Sequence, residues 1–252
     1  MSLLSTTELV KQFGGLTAVD EVSFDVDRGE TRAVIGPNGA GKSTLINCIT
    51  GMLEPTRGTV EFDGEDITGM KPHNAVQRGL SKSFQTASIF PEMSVEENVE
   101  IAALAAEHGS FQLNFLKKRE SFDEVHRISE RMLDAVELLD QRGREAASLP
   151  YGDKRRLEIA IALASEPEML FMDEPTAGMS PDETHATVEL IEELQDDLGL
   201  TILIVEHDME VIFRIADRIL VLNRGRVIAD ATPEDVQGDE DVQEAYLGGV
   251  EL

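Results

Sequence analysis

The stretch Gly36-Pro37-Asn38-Gly39-Ala40-Gly41-Lys42-Ser43-Thr44 is rich in glycine and ends in a lysine and two hydroxyl side chains. It follows the apolar segment Thr31–Ile35 (TRAVI), which is typical of a buried strand, and it opens a helical pattern that continues to about Thr50. Glycines allow successive backbone N–H groups to converge on phosphate oxygens, because no Cβ blocks the required dihedral angles. The helix N-terminus adds partial positive charge. The stretch therefore predicts a phosphate-binding loop.

The pattern is that of a P-loop, GxxxxGK[ST], in the strand-to-helix context that this motif requires. All nine residues of the stretch are predicted to contact a nucleotide. Lys42 is expected to reach its β- and γ-phosphates, and the Ser43 hydroxyl is expected to ligate Mg²⁺. The alternative, a chance glycine turn, is disfavoured because the whole string occurs with the correct strand and helix.

A pair of carboxylates follows a second apolar segment, Met169–Met172. Ligands of open α/β folds bind at the carboxyl ends of the strands, which is where Asp173 and Glu174 are predicted to lie. Asp173 is expected to hold Mg²⁺, directly or through water, and Glu174 is expected to orient or deprotonate the attacking water. By itself the pair is equally consistent with a solvated strand end; the P-loop favours the catalytic interpretation.

Strand and helix patterns alternate over most of the chain, which predicts an α/β fold with a P-loop NTPase core and a mainly parallel sheet. Short alternating segments near the start predict an additional N-terminal antiparallel β-subdomain. The pattern over residues 91–150 is helical and predicts an inserted α-helical subdomain. We thus expect one domain over residues 1–252, with an α/β core formed by 1–90 and 151–252.

The composition excludes several classes of protein. The chain has 49 Asp+Glu against 22 Lys+Arg, a net charge of −27, which counts against sequence-independent nucleic-acid binding. No apolar run is long enough to cross a bilayer, and the N-terminus does not have the pattern of a secretory signal. A single cysteine, Cys48, is interpreted as a small buried hydrophobic residue. We expect a cytoplasmic protein, and its distributed acidity suggests a high-salt cytoplasm, with an ordinary acidic protein as the alternative.

The order of these motifs resembles that of the ATP-binding subunits of ABC transporters. Between the P-loop and the Asp-Glu strand the chain has SFQTASIFPEMSVEENV and LPYGDKRRLEIA, and later DEPTAGMSP, IVEHDM and the ending EAYLGG. The resemblance covers essentially the whole chain and is closest to the ATP-binding proteins of branched-chain amino acid importers. It implies Mg²⁺-dependent hydrolysis of ATP.

The resemblance also implies roles for further residues. Phe13 stands where the family has an aromatic residue that stacks on adenine. Gln85 matches the glutamine that contacts Mg²⁺ or the attacking water, and His207 matches the histidine that contacts the γ-phosphate. The signature segment, which is expected to cap the nucleotide of a partner subunit in a head-to-tail dimer, comprises Leu149, Pro150, Tyr151, Gly152 and Asp153.

Two positions depart from the family pattern. Pro150 stands where the signature usually has serine, which removes a hydroxyl and a backbone donor. Ser180 stands where many members have aspartate in the loop that crosses the dimer. We therefore expect no direct side-chain contact from position 150 to the partner's γ-phosphate and no carboxylate-dependent form of the loop that crosses the dimer. Neither change touches Lys42 or Glu174, so we still expect an active ATPase.

The expected partners are a second ATP-binding subunit, membrane permease subunits and, indirectly, an extracytoplasmic substrate-binding protein. The chain would then lie on the inner face of the membrane, with docking near Gln85 and through Phe90, Pro91 and Met93. The alternatives are an ABC ATPase for another substrate, such as urea, a different amino acid or exported lipid, and a soluble ABC ATPase outside transport.

Overall fold

A computed structural model describes residues 2–83, 89–108 and 120–244. The chain divides into two compact units, one formed by Met1–Ala75 with Gln195–Leu252 and the other by Val76–Leu194. Gln85, for which the family resemblance implies a role, lies outside the described residues.

Strands and helices are interspersed along the described part of the chain, as the α/β pattern predicts. The first part of the chain contains β1 (Ser2–Phe13), β2 (Leu16–Asp27), β3 (Thr31–Ile35), α1 (Lys42–Ile49), β4 (Arg57–Phe62), β5 (Glu65–Asp66) and α2 (Pro72–Gln77). The middle contains β6 (Leu80–Ser83), α3 (Val95–His108), α4 (Glu120–Ala135), α5 (Tyr151–Leu163), β7 (Met169–Asp173) and α6 (Pro181–Leu198). The last part contains β8 (Thr201–Val205), α7 (Met209–Ile215), β9 (Arg218–Asn223), β10 (Arg226–Ala231), α8 (Pro233–Gly238) and α9 (Glu240–Val242).

The predicted N-terminal β-subdomain is an antiparallel sheet in the first unit, with the strand order β2-β1-β4-β5. Its register places Thr6 opposite Phe24 and Leu4 opposite Phe62. The side chains of β2 alternate between buried and exposed from Val22 onward, as expected for a sheet with one face on the core. This part of the fold prediction is confirmed.

The P-loop follows a parallel strand of the same unit. β3 pairs in parallel with both β8 and β9, and β10 runs antiparallel to β9. All five residues of β3 and all five of β8 are buried, which explains why both segments are almost continuously apolar. Because Val34 pairs with Val205, the chain leaves β3 toward the P-loop and leaves β8 toward His207 at the same edge of the sheet.

The second unit contains a parallel strand pair that packs against α5. β6 pairs with β7 in a register that places Ser83 opposite Met172. The sequence did not predict β6, because its residues LSKS show neither alternation nor an apolar run. Pairing with the buried β7 makes this segment a strand, and Ser81 Oγ also donates a hydrogen bond to the carbonyl of Ala162 at 3.1 Å.

Helices α3 and α4 lie within the region predicted to be helical. α3 begins after a capping box in which the Glu97 N–H donates to Ser94 Oγ and the Ser94 N–H donates to Glu97 Oε2. α4 is strongly amphipathic, with Met132 and Leu133 buried. Within the ranges that the structure describes, no helix combines the length and the apolar character that crossing a bilayer requires.

Candidate active site

The P-loop backbone has conformations that only glycine adopts without strain. Gly36 has φ +150°, and a Cβ there would lie 2.1 Å from the carbonyl oxygen of Leu222. Gly41 has φ +106°, and its Cβ would lie 2.3 Å from the carbonyl oxygen of Ala18. Both neighbours are backbone atoms that cannot move aside cheaply. The two glycines therefore allow the loop to pass close to the backbone of Leu222 and Ala18, which a residue with a Cβ would prevent.

Lys42 is the first residue of α1, and its side chain lies against the loop. Its side chain is buried, and Nζ donates hydrogen bonds to the carbonyl of Gly36 at 2.5 Å and to that of Pro37 at 3.3 Å. Ser43 is exposed and Thr44 is half-buried at the start of α1. The loop thus combines a buried ammonium, the N-terminus of α1 and an exposed hydroxyl, which together suit a polyphosphate and its cation.

Phe13 and His207 are exposed in the same unit. Phe13 ends β1 and is 47% exposed, which is unusual for a large apolar ring, and Lys11 Nζ lies 5.2 Å from the ring centroid. His207 follows β8, and its backbone N–H donates to Oε2 of the buried Glu206 at 2.8 Å. Asp208 then caps α7 by accepting from the N–H groups of Glu210 and Val211. His207 is thereby held between a buried carboxylate and a capped helix.

The carboxylate pair lies at the end of β7 in the second unit. Asp173 is the last residue of the strand, and its side chain is only 9% exposed. Lys82 of β6 places Nζ 3.7 Å from Asp173 Oδ2, an ion pair that the sequence did not predict. Glu174 has φ +52°, a left-handed conformation that a non-glycine residue adopts at a cost of about 1–3 kcal/mol.

The signature segment forms the start of α5. Leu149 is buried, and Pro150 is the N-cap residue, whose carbonyl accepts from the Lys154 N–H at 3.0 Å. A proline N-cap provides no side-chain hydrogen bond to this helix. Asp153 lies in the first turn, where Gln141 Nε2 donates to its Oδ2 at 2.9 Å. Pro150 and Tyr151 are exposed, and Gly152 and Asp153 are half-buried, so every residue of the segment except Leu149 is at least partly accessible.

Ser180 acts as a helix cap at the start of α6. The Ser180 N–H and hydroxyl donate to Glu183 Oε2 at 2.9 and 2.8 Å. The sequence pattern predicts a helix over 184–198, but the helix begins three residues earlier, at Pro181, because of this cap. The Ser180 backbone N–H, followed by its hydroxyl, lowers the pKa of Glu183 below its usual value, and the Gly152 N–H adds to this effect. A carboxylate therefore does lie beside position 180, but Glu183 provides it.

Cys48 is confirmed as a buried residue of α1. It is 1% exposed, and burial raises the pKa of its thiol to about 11, with a small opposing effect of Lys11. The thiol is therefore protonated at neutral pH, which argues against a role as nucleophile.

Comparison with known proteins agrees with this geometry. Residues 19–177 match the model of the family described as ABC transporter, and residues 226–251 match that of the branched-chain amino acid ATP-binding cassette transporters. The chain is 39% identical to the high-affinity branched-chain amino acid transport ATP-binding protein BraF of Pseudomonas aeruginosa. It is 40% identical to the corresponding LivG of Escherichia coli K12. Each match covers 98% of both chains.

A solved structure shares the fold. It is described as the ADP conformation of an ATP-binding cassette of an ABC transporter and is 36% identical, with a TM-score of 0.87 over 98% of this chain and 99% of the other. Together with the sequence matches over nearly the full length, this likeness shows that the chain belongs to the ATP-binding proteins of the ABC transporter family.

Proposed function

We propose that this chain is the Mg²⁺-dependent ATPase subunit of an ABC transporter that imports branched-chain, hydrophobic amino acids. The observation that carries the proposal is a P-loop with the required strand, helix and glycine geometry in a chain 39–40% identical to two branched-chain amino acid transport ATP-binding proteins. Since specificity for the transported molecule lies in other subunits, the substrate assignment rests on the relatives' names and the ATPase assignment rests on the site.

ATP binding is assigned to the first unit. The P-loop amides and the Lys42 ammonium would hold the β- and γ-phosphates, since this loop concentrates positive charge in a chain of net charge −27. The exposed ring of Phe13 would stack on the adenine base.

Oxygen donors are available for Mg²⁺, which prefers carboxylate and hydroxyl oxygens. The Ser43 hydroxyl is exposed and the Asp173 carboxylate ends a buried strand, so both fit this cation. We assign Gln85 to the same task from the family resemblance. Bound Mg²⁺ would neutralise charge on the phosphates.

Hydrolysis is assigned to Glu174 and His207. Glu174 would accept a proton from the attacking water and hold that water in line with the γ-phosphate. His207 would donate a hydrogen bond to the γ-phosphate, from a position fixed by Glu206 and the capped start of α7. The signature residues 149–153 would cap the nucleotide held by a second subunit, so that hydrolysis depends on closure of a head-to-tail dimer.

A membrane permease is the partner required for transport, and an extracytoplasmic binding protein would deliver the substrate to it. The segment before α3 is our candidate for docking: Phe90 is 47% exposed, while its N–H and carbonyl are fixed by the side chain of Asn98. A ring exposed on a fixed backbone suits a protein contact. The chain would then lie at the inner face of the membrane without crossing it.

Measuring nucleotide affinity tests the assignment of ATP binding to the P-loop. Lys42→Ala should weaken ATP binding by more than tenfold (roughly 1.4 kcal/mol or more), because it removes the buried ammonium from the loop. Lys71→Ala removes an exposed lysine of the same unit and should leave the affinity unchanged. Equal affinities for the parent and the Lys42 variant, measured with a fluorescent ATP analogue, would refute the assigned site.

Partners and substrate are tested in membranes. A tagged chain should recover permease subunits from solubilised membranes, identified by mass spectrometry. Vesicles reconstituted with those subunits should take up leucine, isoleucine and valine in an ATP-dependent manner. Uptake of urea in place of these amino acids, or export of lipid, would replace the substrate assignment, and recovery with ribosomes or nucleic acid would overturn the transport role.

A further inference from the structure

The side chain of Tyr151 points within its own subunit, toward the loop that follows the carboxylate pair. We call residues 174–180, between β7 and α6, the Glu174 loop. Tyr151 Oη donates a hydrogen bond to the carbonyl of Ala177 at 2.9 Å. A Cβ built on Gly178 would lie 3.5 Å from Tyr151 Oη, so the loop is in van der Waals reach of the phenol. The first residue of α5 is thus joined to a loop 26 residues later in the chain.

The Ala177 peptide links this contact to Glu174. Its N–H donates to the carbonyl of Glu174 at 3.2 Å, and its carbonyl accepts from Tyr151. The Met179 N–H donates to the Thr176 carbonyl at 3.2 Å and closes the next turn. Two hydrogen bonds in series therefore connect the Tyr151 hydroxyl to the backbone of Glu174, which has a left-handed φ of +52°.

Arg155 holds the Tyr151 ring in place. Its Nη2 donates to Tyr151 Oη at 3.1 Å, and its guanidinium carbon lies 5.4 Å from the ring centroid. Arg155 Nη1 also donates to Glu158 Oε2 at 2.7 Å, with both side chains less than one-fifth exposed. The Tyr151 hydroxyl accepts from Arg155 and donates to Ala177, so both of its hydrogen-bonding functions are used inside the subunit.

A second contact joins the same two elements. A Cβ on Gly152 would lie 3.3 Å from Glu183 Oε1, while Glu183 Oε2 accepts both hydrogen bonds from Ser180 at the end of the Glu174 loop. The start of α5 thus faces the middle of the loop through Tyr151 and its end through Gly152.

We propose that Tyr151 is a positioning residue for ATP hydrolysis: its hydroxyl fixes the Glu174 loop to the start of α5, so that a displacement of the signature segment is passed to Glu174 within one subunit. This inference rests on the function proposed above, because it needs Glu174 to act on the attacking water. Small displacements matter at this point, since a misplacement of about 1 Å can reduce a catalytic rate by about 100-fold.

Tyr151→Phe tests the proposal because it removes one oxygen atom from a half-exposed ring and leaves the core intact. Ser165→Ala is the matched control: the Ser165 hydroxyl also donates to a carbonyl, that of Ala162 at 3.1 Å, but within the last turn of α5 and its exit. Hydrogen exchange is measured on the nucleotide-free chain, where contacts to a partner's nucleotide play no part. In Tyr151→Phe the amides of residues 174–180 should exchange several-fold faster, and in Ser165→Ala at the parental rate.

Steady-state kinetics provides the second readout. Tyr151→Phe should lower kcat by about tenfold and leave KM for ATP and the melting temperature within error, as expected for lost positioning rather than lost binding. Parental kcat, or parental exchange in the loop, would overturn the inference. A parent chain without ATP hydrolysis would instead refute the proposed function, so the two failures are distinguishable.

Discussion

The residues of the P-loop are constrained by the backbone atoms around them as much as by the ligand they are expected to hold. Gly39 and Gly41 both have positive φ, but a Cβ on Gly39 would meet nothing within 4 Å, whereas one on Gly41 would lie 2.3 Å from the Ala18 carbonyl oxygen. A side chain at position 39 would meet only conformational strain, whereas one at position 41 would also clash with neighbouring backbone.

Substitution by alanine should therefore have unequal effects. Gly39→Ala should cost about 1–2 kcal/mol in the free energy of unfolding, the cost of a left-handed conformation for an L-residue. Gly41→Ala should cost more, because the new methyl group also displaces backbone. Urea denaturation of both variants checks this, and equal destabilisation would show that the close approach to Ala18 has no effect.

The Glu183 carboxylate gives stability a pH dependence. Its pKa is lowered in the folded chain, first by the Ser180 N–H and then by the Ser180 hydroxyl. Its contribution should therefore be complete above the unfolded-state value, about 4.3, and should be lost as pH falls through the lower folded-state value. The difference in melting temperature between parent and Glu183→Gln should shrink as pH falls from 7 toward 3. A difference that is constant with pH would show that the Ser180 hydrogen bonds do not lower the pKa of Glu183.

Among the elements, α7 depends most visibly on a cap. Asp208 accepts from two N–H groups of the first turn, so Asp208→Ala should cost about 1 kcal/mol in the free energy of unfolding. Asp208→Ser restores an acceptor and should recover most of the loss. Thermal denaturation of the two variants checks this. Equal melting temperatures for Asp208→Ala and the parent would mean that the cap, and with it the anchoring of His207, contributes nothing.

Strands whose own residues show a clear apolar pattern could be predicted from the sequence. A strand that forms only by pairing with a neighbouring strand could not. β3 and β8 are mostly apolar because they are buried, so TRAVI and TILIV predict strands from sequence alone. β6 has no such pattern and exists through pairing with β7. α6 begins three residues before the predicted start because the hydrogen bonds between Ser180 and Glu183, which the helical pattern does not include, cap it there.

The same distinction applies to the candidate site. The P-loop directly follows the apolar strand β3, and Asp173 and Glu174 directly follow the apolar residues of β7. Their positions could therefore be predicted from the sequence. The ion pair of Lys82 with Asp173 and the hydrogen bond of Tyr151 to Ala177 join residues far apart in the chain. No local sequence pattern predicts such contacts. The division into an α/β core and a helical insertion at residues 91–150 stays a prediction.

For the whole molecule, the net charge of −27 is the dominant feature. Self-repulsion of this size is screened when the Debye length falls from about 10 Å at 0.1 M salt to about 3 Å at 1 M. We therefore expect the melting temperature and ATP turnover to rise from dilute buffer to molar KCl. Sucrose at equal osmolality should produce a smaller effect. Full turnover and unchanged stability in dilute buffer would contradict adaptation to high salt.

The central claim is that this chain hydrolyses ATP with Glu174 as the base, and Glu174→Gln tests it most directly. Glutamine keeps the shape of the side chain but cannot accept the proton, so the positive-φ backbone and the nucleotide site should be unaffected. We predict that kcat for ATP hydrolysis in Mg²⁺ and molar KCl falls by about 100- to 10,000-fold while ATP affinity stays within error. Near-parental hydrolysis by Glu174→Gln would contradict the account.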